Sequence, residues 1–253
     1  MKRMKKTIIL FLLVAGFVQG LMAAATKQTA DEAYQQNQFE EAIRQYEELL
    51  ATEGESADVY YNLGNSYYKS QHIAKAVLNY ERALLLRPGD ADIRFNLEMA
   101  KSKSVDQIVP TTEVFIVTWY HALVNSLGER SWSRLAIGSF WLLLAGLAVY
   151  LFSRRIVWKK VGFLGAVLML VVCGCSNLFA HAQKSEQERR EGAIVMAPSV
   201  TVKSTPNESG TDLFVLHEGT KVFVEDNSMK EWKEVRLADG KKGWLPASAI
   251  ETI

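Results

Sequence analysis

Ala42 and Tyr46 recur as Ala76 and Tyr80, 34 positions later. A pattern returning at such a fixed interval is built from units too small to bury their own apolar faces, so they must stack on one another. The segment YYNLGNSYYKSQHIAKAVLNYERALLLRP, residues 60–88, shows what one unit contains. Tyr60, Leu63, Gly64 and Tyr67 form one helical stripe, and Ala76, Val77, Tyr80, Ala83 and Leu84 form another. Ala42, Ile43, Tyr46, Leu49 and Leu50 form an earlier one. Gly64 and Ala76 offer little bulk, so two antiparallel helices can approach closely while Tyr67 and Tyr80 fill the space beside them. Pro88, the one proline between residues 26 and 104, stops the second helix before another begins at Ala91.

Residues 57–90 resemble the tetratricopeptide repeat, a helix–turn–helix unit of about 34 residues. Tyr60, Leu63, Gly64, Tyr67, Ala76, Tyr80, Ala83 and Pro88 carry the resemblance. A weaker copy spans residues 23–56, where Ala30, Ala33, Ala42 and Tyr46 match and Leu49 and Gly54 replace the expected alanine and proline. ADIRFNLEMAKSKS supplies one further helix to cap an all-α stack over residues 26–104. The resemblance implies a partner-binding groove lined by the first helix of each repeat, at Lys27, Asp31, Asp58, Tyr61, Asn65, Tyr68 and Lys69. Relatives that clamp a terminal carboxylate use lysine, asparagine and arginine. Lys27 and Asn65 match such positions; Asp31, Phe95 and Met99 depart from them. The alternative for Tyr61, Asn65 and Tyr68 is that they only solvate or pack one helix face. Between Asp31 and Ala100, acidic side chains outnumber basic ones by about two to one, which favours a basic partner.

Three apolar blocks bound the location. In residues 1–25, the cations Lys2, Arg3, Lys5 and Lys6 precede an apolar run from Ile8 to Val18 and the small residues Ala23, Ala24 and Ala25. That is the pattern of an export signal, with a retained amino-terminal anchor as the alternative. LAIGSFWLLLAGLAVYLF and VGFLGAVLMLVVCGCSNLFA are uncharged and long enough to cross a bilayer, giving transmembrane helices over 133–152 and 161–180. Arg154, Arg155, Lys159 and Lys160 crowd the turn between them, residues 153–160, and hold it in the cytoplasm. Both soluble segments then share the exoplasmic side; with the bacterial resemblances given below, that implies the periplasm of a multi-pass inner-membrane protein. Trp132, Trp141, Tyr150 and Trp158 are candidate interfacial anchors; a buried helical hairpin in a soluble protein is the competing reading. Within the linker 105–132, Phe115, Ile116, Trp119, Tyr120, Leu123 and Leu127 share one helical face, opposite Thr118, His121 and Asn125. This predicts an interfacial amphipathic helix or one packed against the repeats.

After a linker at 181–190, residues 191–253 alternate apolar and polar residues in short runs, with turn signals at Asp226-Asn227 and Asp239-Gly240. A small all-β barrel is expected. Leu216, Gly219, Val222, Trp232, Val235, Gly240, Gly243, Trp244 and Ile250 resemble the bacterial SH3-like (SH3b) domain. Domains of that kind are often associated with cell-wall glycan or peptide, which makes Phe214, Phe223, Trp232 and Trp244 candidate ligand contacts. The two tryptophans also fit the core of the pattern, and core is the favoured reading.

No catalytic constellation emerges, so no enzyme activity, cofactor or metal is expected. The histidines at 72, 121, 181 and 217 fall in separate segments, there is no phosphate-cradling loop, and the net charge of +1 gives no cause to expect nucleic acid. Cys173 and Cys175 are the only cysteines. They are read as small packing residues, with a thiol redox sensor or soft-metal site as the minor alternative. The order of segments, including ADIRFNLEMAKSKSVD after the repeats, resembles the Bacteroides aerotolerance (Bat) family. That resemblance implies a scaffold acting with von Willebrand A-domain membrane proteins and a MoxR-type ATPase in oxygen or stress tolerance. Peptidoglycan is the alternative partner.

Overall fold

The structure, a computed structural model, describes residues 25–109, 111 and 114–253. The export signal expected over 1–25 lies outside the described residues except for Ala25. The chain divides into two compact units, one ending at Gly54 and the other running from Glu55 to Ile253.

The first unit is a helical hairpin of α1 (Lys27–Gln35) and α2 (Phe39–Glu53). Thr26 caps α1: its hydroxyl accepts from the Thr29 amide while the Thr29 hydroxyl accepts from the Thr26 amide. Ala30, Ala33, Ala42, Ile43, Tyr46 and Leu49 are buried. Asn37 takes φ +60° in the turn, and the Gln38 amide donates to the Ala33 carbonyl at 2.9 Å. Gly54, at φ +87°, ends α2 where the second copy has Pro88.

In the second unit, α3 (Ala57–Lys69) and α4 (Ile73–Leu86) form the same hairpin, and α5 (Ala91–Lys101) packs on it. The turn is reproduced 34 residues on: Gln71 takes φ +64° and the His72 amide donates to the Tyr67 carbonyl at 2.9 Å. A Cβ placed on Gly64 would lie 2.7 Å from Cδ1 of Tyr80, so the ring occupies the gap that glycine leaves. Asp90 caps α5 by accepting from the Asp92 and Ile93 amides.

A short helix, α6 (Phe115–Val124), leads into a long hairpin of α7 (Glu129–Phe152) and α8 (Ile156–Arg189). Small residues let the two long helices meet: a Cβ on Gly162 would come within 2.7 Å of the Gly146 carbonyl oxygen, and one on Gly146 would touch Ala166. Outward-facing leucine, isoleucine, valine and phenylalanine stay uncovered along both helices. At 1.5 Å per residue, α7 is about 36 Å long and α8 about 51 Å. The expected linker at 181–190 is therefore helical up to Arg189, and the basic turn shrinks to Ser153–Arg155, with Lys159 and Lys160 in the first turns of α8. Trp132, expected as a surface anchor, is buried at 7% exposure, and its Nε1 donates to the Val124 carbonyl at 2.9 Å. Trp141, Tyr150 and Trp158 are exposed. The apolar residues Phe115, Ile116 and Trp119 of α6 face outward; α6 is held by Val124 and by Tyr120, whose ring meets Phe179 of α8 at 6.1 Å.

The carboxy-terminal segment is an antiparallel sheet of β1 (Gly192–Val195), β2 (Ser199–Lys203), β3 (Asp212–His217), β4 (Lys221–Asp226), β5 (Trp232–Arg236), β6 (Lys242–Pro246) and β7 (Ile250–Thr252). Their order is β3-β2-β6-β5-β4-β1-β7. Among the described residues no ladder joins β3 to β7, so the sheet is open where a closed barrel was expected. Ala193, Val195, Val202, Leu216, Val222, Val235, Leu237 and Leu245 form its core. Ile108, from well outside the sheet, packs against that core.

The Gly64–Tyr80 contact has a direct consequence. Replacing Gly64 with alanine overpacks the crossing and is expected to cost about 1–3 kcal/mol, visible as a lower unfolding temperature; Gly138→Ala, which meets open space, is the control.

Candidate functional site

The proposed groove residues fall in both units. In the first, the Lys27 ammonium pairs with Asp31 at 2.7 Å, and the Asp31 carboxylate also accepts from the Tyr46 hydroxyl at 2.5 Å. In the second, Asn65 holds the equivalent place: its Oδ1 accepts from the Tyr80 hydroxyl at 2.7 Å and from Asn96 Nδ2 at 3.0 Å. Asn96 also donates to the Tyr61 hydroxyl at 2.9 Å. Asn65 thus serves the fold, tying the first helices of two successive repeats, α3 and α5, side by side. Asp58 pairs with Arg87 at 2.9 Å. Lys69 is exposed, and the Lys103 ammonium stands 4.4 Å from the centre of the half-buried Tyr68 ring.

Two residues that depart from the clamp pattern define the rest of this face. Phe95 is 68% exposed and Met99 36% exposed, four residues apart on α5. With Tyr61 and Tyr68 they give an apolar, aromatic strip in the second unit. It suits a side chain-bearing peptide better than a bare carboxylate, since Lys69 is the only cation of the α3 set and lies at its end.

The opposite side of the hairpin is already covered. Ala74, Leu78 and Glu81 of α4 are buried although they lie outside the stripe that faces α3. Gly219 of the sheet comes close to Ala74 and Ser104. The Glu81 side chain, 6% exposed, pairs with Lys101 of α5 at 2.9 Å and with Lys221 of β4 at 2.8 Å. Arg82 pairs with Glu251 at 3.0 Å and donates to the Thr252 carbonyl at 2.6 Å. Between α5 and α6, Asp106 accepts from the His217 amide, His217 Nδ1 and the Thr220 hydroxyl at 2.7, 2.9 and 2.8 Å. The Thr111 amide donates to the Ala238 carbonyl. Sequence reading missed this seam; the second apolar stripe of α4, Ala74 and Leu78, was the available signal.

In the sheet, Trp232 and Trp244 are half-buried and neither belongs to the core, contrary to the favoured reading. Val235 and Leu245 point into the core, so alternation along β5 and β6 turns Trp232, Glu234 and Trp244 to the other face. Phe214 does pack against the core. Phe223 lies under two cations, Lys221 at 5.5 Å and Arg236 at 4.9 Å. Cys173 is half-buried and directs its thiol to the Ala136 carbonyl, while Cys175 is exposed. Two residues apart on one helix, the thiols do not face each other. No group of metal-ligating side chains stands together among the described residues.

The family model described as tetratricopeptide repeat matches residues 57–90, and one described as TPR repeat matches residues 30–71. No curated protein matches the chain. The chain contains tetratricopeptide repeats, and repeats of this kind support binding to protein partners.

Glu81 makes the seam sensitive to acid. Burial raises the pKa of its carboxyl, but Lys221 and Lys101 outweigh burial and hold it below the ordinary 4.5. A depressed folded-state pKa gives stability that is complete above the unfolded value and fades as pH falls through the folded one. Glu81→Gln is therefore expected to lower stability at neutral pH and to flatten the loss of stability below pH 4.5, read by thermal unfolding across pH. Replacing Lys101 and Lys221 together by alanine strands the buried carboxylate, at about 3–5 kcal/mol.

Proposed function

We propose that this protein is a non-enzymatic scaffold of the bacterial inner membrane, with its repeats and its β module both in the periplasm. The open strip formed by Tyr61, Tyr68, Phe95 and Met99 carries the binding part of this reading. It is apolar and accessible, on repeats whose acidic side chains outnumber the basic ones by about two to one, so it suits an amphipathic peptide with basic residues. The uncovered apolar flanks of α7 and α8, the close-packed glycines between them and the cations at their turn support the membrane part. The order of segments resembles the BatE members of the Bacteroides aerotolerance family. By that resemblance the partners are von Willebrand A-domain membrane proteins, and the complex serves oxygen or stress tolerance.

A second reading, binding of peptidoglycan by an SH3-like module, draws on the outward placement of Trp232 and Trp244. Half-buried aromatic rings away from a core leave part of a face on which sugar rings and peptide stems rest.

The scaffold reading is tested by co-purification of the full chain from native membranes. Changing Tyr68 and Phe95 together to alanine should remove the captured partner while leaving the unfolding temperature within a few degrees. Retention of every partner by that variant rejects the groove. In a parallel sedimentation with isolated cell wall, the glycan reading expects the full chain to pellet and the Trp232→Ala, Trp244→Ala variant to stay in solution. Protease added to intact spheroplasts should digest both soluble regions; protection of either one rejects the topology.

A further inference from the structure

Helix α6 carries no Asp, Glu, Lys or Arg, and most of it stays uncovered. At about 100° per residue, Phe115, Trp119, Leu123 and Ile116 fall within about 100° of one another around the helix. All four are exposed, Phe115 at 80% and Trp119 at 61%. His121 falls on the opposite side, and Val124 is the buried residue. The second repeat, the alternative seat for this apolar face, leaves it open.

The helix is nonetheless tied down at one end. The Val124 carbonyl accepts from Trp132 Nε1 of α7 at 2.9 Å and from Gln183 Nε2 of α8 at 2.7 Å. The Tyr120 ring meets Phe179 of α8, and Phe179 also meets Trp132, with 5.0 Å between ring centres. These contacts hold α6 beside the stretch of α8 from Phe179 to Gln183, just before Lys184 ends its uncharged run. At 1.5 Å per residue, the 21 residues from the exposed Trp158 to Phe179 rise about 32 Å. The hydrocarbon core of a bilayer is about 30 Å thick, and tryptophan and tyrosine concentrate at its two edges.

We infer that α6 docks on the outer leaflet of the bilayer, with Phe115, Ile116, Trp119 and Leu123 pressed into the boundary between headgroups and acyl chains. This rests on the membrane reading given above. With Trp158 at the cytoplasmic edge of the hydrocarbon, α6 stands one bilayer thickness away, and its open face continues the uncovered apolar flanks of α7 and α8. An uncharged apolar face so placed suits lipid. Because the same helix is bonded to both spans at Val124, its seat on the leaflet fixes how deep the second unit sits at the surface.

The test uses the full chain in liposomes of phosphatidylethanolamine and phosphatidylglycerol. Cys173→Ala and Cys175→Ala clear the background, and Trp119→Cys, His121→Cys or Leu168→Cys, all at exposed positions, then carries one nitroxide label. Its collisions with oxygen, which concentrates in lipid, are compared with those of a water-soluble nickel chelate. The label at 119 is expected to favour oxygen and to lie at least about 5 Å below the phosphates, while the label at 121 favours the chelate. Leu168 lies within the apolar run of α8, so its label reports insertion alone. A label at 168 that favours oxygen beside one at 119 that favours the chelate overturns the docking of α6 and leaves the membrane reading standing. If the label at 168 also favours the chelate, both fail. A label at 119 shut off from both reagents, or spin-coupled between copies, means that protein covers the face, and the assignment to lipid is wrong.

Discussion

A carboxylate with almost no access to water stays ionised only if cations reach it, and Glu81 meets that condition from two directions. Lys101 comes from the helix that caps the repeats and Lys221 from the sheet. Either lysine alone leaves a half-compensated charge; the repeat, its cap and the sheet must all be in place for the group to be satisfied. Arg82 and Asp106 add bonds on either side of that point. The result is a repeat hairpin with one face committed to its own chain and the other left open.

The repeat itself was legible because small and large residues at fixed spacing answer a local packing problem. Gly64 and Tyr80 stand at positions that a 34-residue periodicity singles out, and each touches the other. The recurrence extends to features with no obvious sequence mark. Asn37 and Gln71 share the left-handed turn, and Asp31 and Asn65 accept from tyrosines at matching positions. An aspartate and an asparagine can do this equally because only the side-chain oxygen is used. The same fact gives Asn65, one of the expected groove residues, a part in the framework.

What the sequence hid was long-range and specific. Ile108 and Asp106 sit in a stretch that reads as a polar linker, yet one packs on the sheet core and the other gathers three donors from it. The partners of Asp106 lie 111 and 114 positions away, beyond the reach of any periodicity. Trp232 and Trp244 looked like core because large aromatics usually are; strand register, which composition does not reveal, turns them outward. Trp132 went the other way, since the Val124 carbonyl that receives its indole N–H is exposed only by the turn after α6.

The unbroken α8 has a geometric consequence. Its apolar stretch, Gln183 at the α6–α7 corner and Gln187 on the Leu85 carbonyl are all set by one helical phase. Each added or deleted residue would swing everything beyond it by about 100°, pointing these side chains away from their targets. Evolution can lengthen or shorten such a rod only in steps close to whole turns, so the spacing between the hairpin and the heads is quantised by the pitch of the helix.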